Sequence, residues 1–135
     1  MTSHDLAQSY LKKSTDRLDI LDLLFNKEAY SDVVREAQEI VELCLKGLLR
    51  YGGIEPPKYH DVSPLVVEHQ ERFIEISPEE IMKIAKISKK LRKDRELAFY
   101  GDIDFIPTEE YTAEDGTEAM EGAQFVVDMA KRVMK

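Results

Sequence analysis

The stretch Tyr30-Ser31-Asp32-Val33-Val34-Arg35-Glu36-Ala37-Gln38-Glu39-Ile40-Val41-Glu42-Leu43-Cys44-Leu45-Lys46-Gly47-Leu48-Leu49 decides the fold. Its apolar residues Tyr30, Val33, Val34, Ala37, Val41, Cys44, Leu45 and Leu48 recur at steps of three and four, the spacing of one side of an α-helix. Ile40, Leu43 and Leu49 widen that arc beyond a single stripe, so this helix is expected to pack on more than one neighbour and to sit centrally. Gly52-Gly53 follows where a helix C-cap belongs.

Upstream, Leu6, Ala7, Tyr10, Leu11, Leu18, Leu21 and Phe25 predict a first helix near Ser3 to Phe25, separated from the second by the polar Asn26-Lys27-Glu28. Downstream, Gly52 to Asp61 carries paired glycines and paired prolines and reads as loop. Ser63-Pro64 reads as an N-cap with proline at the first helical position, opening a short third helix to about Phe73. Ser77-Pro78-Glu79-Glu80 is a capping-box pattern that opens a fourth helix to about Phe99. Gly101 to Tyr111 reads as a second extended loop. Thr112, with Asp115 three residues on, caps a last helix through Ala119, Ala123, Val126, Val127, Ala130 and Val133. No segment alternates with period two. The expectation is an all-α, up-and-down bundle of about five helices in one domain over residues 1–135. The first two helices should form an antiparallel pair, with the rest packing across them.

The chain has 135 residues and a formal net charge of −8, which argues against indiscriminate coating of nucleic acid. One cysteine, Cys44, excludes an internal disulfide and every CxxC site, and it falls on the apolar face of the central helix, where a thiol behaves as a small hydrophobe. His4, His60 and His69 lack metal-ligand spacing, and no P-loop, G-x-G-x-x-G or G-x-S-x-G occurs, so neither metal nor cofactor is expected. Without a basic and apolar leader or a run of ~18 apolar residues, a cytoplasmic protein with no membrane contact is expected.

Charge is distributed unevenly. From Lys83 to Arg95 seven basic residues stand against Asp94 alone, a local balance of +6; from Glu96 to Glu121 nine acids occur with no Lys or Arg, a balance of −9. Lys83, Lys86, Lys90 and Lys93 share one side of the fourth helix, and Ile84, Ile87 and Leu91 the other. This is either an ordinary amphipathic helix whose lysines suit the C-terminal end of the dipole, or a strip that binds phosphate of a nucleotide or RNA, or a partner protein. Glu36, Glu39 and Glu42, at helical spacing, read as a solvated face. His69 reads the same way, whereas His60-Asp61, at the end of a rigid loop, is either an exposed and firmly held functional pair or a histidine hydrogen-bonded to backbone near a helix start.

Arg95-Glu96-Leu97-Ala98-Phe99-Tyr100-Gly101-Asp102, with Pro107 and Tyr111-Thr112 beyond, resembles the HEPN domain (higher eukaryotes and prokaryotes nucleotide-binding). Ala37 to Leu49, then Gly52 or Gly53, Pro57, His60-Asp61 and Leu65, resembles that family's second helix and following loop. The resemblance implies a helical domain that usually dimerises. It also implies one of three roles: a metal-independent endoribonuclease using an R-x4-6-H motif from each subunit, a partner of a small nucleotidyltransferase in a toxin-antitoxin pair, or a ligand-binding module. Here Arg95 is present, but Tyr100, Gly101 and Asp102 stand where the motif histidine would fall. Arginine alone can hold a phosphate, while a phenol is a poorer proton carrier than imidazole near neutral pH. In some members a tyrosine two residues past the histidine receives AMP; that place is Asp102 here, with Tyr100 nearby. The resulting expectation is a non-catalytic, homodimeric subunit that uses Arg95, Lys86, Lys90 and Lys93 to bind phosphate or a nucleotidyltransferase partner. The alternative is a ribonuclease toxin in which Arg95 works with Tyr100 or His60.

Overall fold

The computed structural model describes residues 3–58 and 61–135. Four long helices dominate: α1 (Ser3–Asn26), α2 (Tyr30–Tyr51), α4 (Pro78–Phe99) and α6 (Ala113–Val133). The short helices α3 (Ser63–Glu68) and α5 (Pro107–Glu110) lie in the connections. Their relative directions follow from which residues meet. Arg17 of α1 reaches Glu36 of α2 while Ser3 reaches the Arg50 carbonyl, so α1 and α2 are antiparallel. Arg92 meets Glu42 and Arg95 meets Glu39, so α4 runs antiparallel to α2. Arg132 meets Glu80 and Lys90 meets Glu118, so α6 runs antiparallel to α4. The path is up-down-up-down, the all-α bundle that the sequence predicts.

α2 is the central element. Val33, Val34, Ala37, Ile40, Val41, Cys44, Leu45, Leu48 and Leu49 are all buried on it, in one core shared with α1, α4 and α6. α6 approaches it with small residues, Ala119, Ala123 and Ala130, flanked by Val126 and Val127. Gly116 lies under the edge-to-face pair Phe25 and Tyr30, whose ring atoms come within 3.1–3.3 Å of where its Cβ would be. Gly47 likewise allows α1 close, with Tyr10 Cβ 3.2 Å from its absent Cβ.

The predicted Ser77 capping box forms, and the predicted Thr112 cap is a capping box as well. The Glu80 amide donates to Ser77 Oγ at 3.2 Å and the Ser77 amide to Glu80 Oε1 at 3.0 Å; Thr112 and Asp115 repeat the pattern. Three expectations need correction. α3 ends at Glu68, and Gln70–Arg72 is a separate 3₁₀ turn before Phe73. Ser63 is inside α3 and does not cap it; the Asp61 carboxylate takes the Ser63 amide and hydroxyl at 3.1 and 3.0 Å and also the Ser88 hydroxyl of α4 at 3.2 Å. The predicted loop from Gly101 to Tyr111 contains α5 and a tight turn in which Asp102 and Phe105 exchange two backbone hydrogen bonds of 2.9 Å, so the described residues form six α-helices where about five were expected. Among the described residues no helix is long and apolar enough to cross a membrane.

Candidate anion site at the end of helix four

The antiparallel register of α2 and α4 builds a ladder of paired side chains. Each step of three or four residues up α4 is matched by one down α2. Arg92 Nη1 lies 2.9 Å from Glu42 Oε1, Arg95 Nη2 lies 3.7 Å from Glu39 Oε1, and the Phe99 ring lies under Arg35, 4.9 Å from its guanidinium carbon. Arg35 also donates to Glu39, with Nε and Nη2 each 3.2 Å from the same Oε1. On the α1 side, Arg17 donates to Glu36 at 2.8 Å. Glu36, Glu39 and Glu42 are therefore the counter-ions of this arginine cluster rather than a merely solvated face.

One carboxylate, Glu39, thus serves two guanidinium groups. Two nitrogens in this cluster, Arg35 Nη1 and Arg95 Nε, are buried without a hydrogen-bond partner among the described residues. Buried donors in that state are costly and uncommon, and guanidinium groups with spare donors are suited to an oxyanion. Beside them the chain presents apolar surface: Phe99 and Tyr100, stacked edge to face at 4.9 Å, then Ile103 and Ile106. Tyr100 is 70% exposed and Ile103 91%. Gly101 makes this display possible. Its φ of +69° turns the chain out of α4, and a Cβ there would strike the Phe105 carbonyl and Pro107.

The predicted binding lysines are elsewhere. At about 100° per residue, Lys86, Lys90 and Lys93 point about 140–180° away from Arg95 around α4. Lys90 and Lys86 face α6, where Lys90 Nζ is 2.5 Å from Glu118 Oε1, and that hydrogen bond raises the lysine's pKa. Arg95 and the lysines do not converge on one ligand. Tyr100 lies one residue past α4, next to Phe99. His60 lies outside the described residues, so it is not placed relative to Arg95. Asp61, its neighbour, is taken up in binding Ser63 and Ser88. Cys44 is fully buried, and burial pushes its thiol up to about 12, which leaves it inert as a nucleophile.

Sequence reasoning missed Arg35 and Glu39. The available signal was the three-residue spacing of Glu36, Glu39 and Glu42 set against that of Arg92 and Arg95, which an antiparallel helix pair brings into register.

A family model described as "HEPN domain" matches residues 7–133. The chain is 25% identical, over 96% of its length and 88% of the relative's, to the protein named "Putative toxin MJ1304" of Methanocaldococcus jannaschii. No solved structure matches. The family match spans all four long helices and the Arg95 segment, in agreement with the antiparallel bundle and the arginine placed at the end of α4: the chain belongs to the HEPN family.

Proposed function

We propose that this chain is a non-catalytic HEPN subunit, a cytoplasmic homodimer that binds a small nucleotidyltransferase as one half of a toxin-antitoxin pair. The observation that carries this reading is the state of Arg95. It is drawn to Glu39 alongside Arg35, and the three positions that could supply the motif histidine hold Tyr100, Gly101 and Asp102. Such a site can grip a phosphate or a carboxylate but lacks the imidazole that would move a proton. The exposed Phe99, Tyr100, Ile103 and Ile106 beside it form the kind of apolar patch that marks a protein contact, and we assign it to the second copy. The relative named as a toxin supports a place in a toxin-antitoxin pair. The test has three parts: light scattering on the purified chain, co-expression with the nucleotidyltransferase of a neighbouring reading frame, and incubation with RNA. Expected are a dimer, co-purification and intact RNA. RNA cleavage lost in Arg95→Ala would overturn the reading.

That same relative's name favours a second reading, an endoribonuclease toxin in which Arg95 clamps the scissile phosphate and Tyr100 or His60 assists proton transfer. It requires growth arrest on expression without the partner, abolished by Arg95→Ala. A Tyr100→Phe protein as toxic as its parent would remove the tyrosine from the mechanism.

A further inference from the structure

On the far side of α4 from Arg95, a groove of about 630 Å³ runs between α4 and α6. Along α4 it extends from Glu79 to Asp94, sixteen residues spanning about 22 Å of helix. Its floor is apolar, made by Val34, Ile87, Leu91 and Ala119. Met82, more than half exposed, stands at its rim, a flexible side chain of the kind that adapts to varied apolar partners. The two walls carry opposite charge. Lys83, Lys86 and Lys90 line the α4 side and Asp115, Glu118 and Glu121 the α6 side.

Those charges are loosely engaged. Lys90 and Glu118 form an ion pair in which both side chains are more than half exposed, and Lys83 lies over the Phe125 ring at 4.1 Å. Lys86 and Glu121 have no ion-pair or hydrogen-bond partner among the described residues. With Glu79 and Asp94 included, five acids against three lysines line the groove, so a polyanion such as RNA is repelled.

An apolar floor between a cationic and an anionic wall, about four helical turns long, has the complement of an amphipathic helix. We propose that this groove receives an amphipathic helix of a partner protein. Its apolar anchors at i, i+3 or i+4 and i+7 enter the floor, its acidic flank faces Lys83 and Lys86, and its basic flank faces Glu118 and Glu121. The opposed walls set the direction in which the helix lies. The proposal rests on the partner-binding reading given above and names the element of the partner involved.

The test uses the full chain and two labelled fifteen-residue helical peptides with leucine anchors, one with the acidic and basic flanks as stated and one with both flanks neutral. Fluorescence anisotropy is expected to show saturable binding of the first, weakened about fivefold by Lys86→Glu or by Glu121→Lys. The double variant Lys86→Glu/Glu121→Lys should bind the charged peptide no better than the neutral one. Both positions are on the surface, so folding is retained, and circular dichroism checks it. Absence of saturable binding, or binding indifferent to both reversals, overturns the proposal. So does self-association of the chain that Lys86→Glu abolishes, since the occupant would then be a second copy. If the nucleotidyltransferase binds the wild type and the double variant equally, the groove assignment fails while the partner reading stands. If it binds neither, and the peptide still discriminates, the partner reading fails and the groove stands.

Discussion

Glu39 of α2 stands 3.7 Å from Arg95 of α4, through the same carboxylate oxygen that takes two nitrogens of Arg35 at 3.2 Å. An incoming phosphate must compete with that oxygen. Glu39→Gln keeps the shape and removes the charge, so binding of a labelled RNA oligonucleotide should tighten by about three- to tenfold at low salt. Arg95→Ala should cancel the gain and lower the salt slope by about 1. Anisotropy titrations at two salt concentrations check both, and an unchanged affinity in Glu39→Gln would mean that Arg95 takes no part in anion binding.

Gly101 determines how the apolar end of α4 is displayed. With φ at +69° and Pro107 Cδ only 2.5 Å from the position of a Cβ, Gly101→Ala meets both backbone strain and collision. A loss of about 2 kcal/mol or more is expected in urea unfolding. If Phe99, Tyr100, Ile103 and Ile106 form the contact between copies, the variant should also dissociate at concentrations where the parent is dimeric, as sedimentation would show.

The helices were legible because their signals are local: apolar spacing, the Ser77 capping box, the Thr112 cap, and glycine and proline breaks. What the sequence could not show is rotation and register. The +6 segment looked like one patch, yet the helical repeat splits it, sending Arg92 and Arg95 toward α2 and Lys86 and Lys90 toward α6. Glu36, Glu39 and Glu42 read as idle because, Arg35 beside Glu39 apart, their partners Arg17, Arg95 and Arg92 lie 19 to 56 residues away along the chain. Ser63 does not cap α3 for a similar reason. Asp61, two residues upstream, accepts from both the amide and the hydroxyl of Ser63, and its further bond to Ser88 is invisible without the packing of α3 on α4.

Asp61 joins two helices through groups that have little other recourse. Ser63 is fully buried and Ser88 nearly so, and both hydroxyls are satisfied by this carboxylate. Asp61→Ala should therefore cost about 2–3 kcal/mol, measured by urea unfolding. Adding Ser88→Ala to that variant should cost much less than Ser88→Ala alone, because the hydroxyl has already lost its partner. Additive losses would show that Ser88 is stabilised by something other than Asp61.

Asp94 lies at the end of the α4–α6 groove, and its carboxyl titrates above the ordinary 3.8, first because of burial and then through Asp115 and Glu118, against the opposing pull of Lys90 and Lys93. A raised carboxyl pKa means that the folded state holds this proton more tightly than the unfolded chain does. The associated stability is fully present below about pH 3.8 and is lost as the pH rises through the folded-state value. At pH 7 the charged form opposes folding. Asp94→Asn should thus raise the melting temperature at pH 7, and the advantage should shrink toward zero near pH 3. Glu80 has the opposite sign. Its carboxyl is held below the ordinary 4.5, first by the Ser77 amide and then by Arg132, so its contribution is present above pH 4.5 and lost as the pH falls through its folded-state value. Glu80→Gln should consequently be most destabilising at neutral pH and nearly silent in acid. Melting curves of the two variants against pH should converge on the parent at low pH from opposite sides, and convergence from the same side would contradict the assignment of either carboxylate.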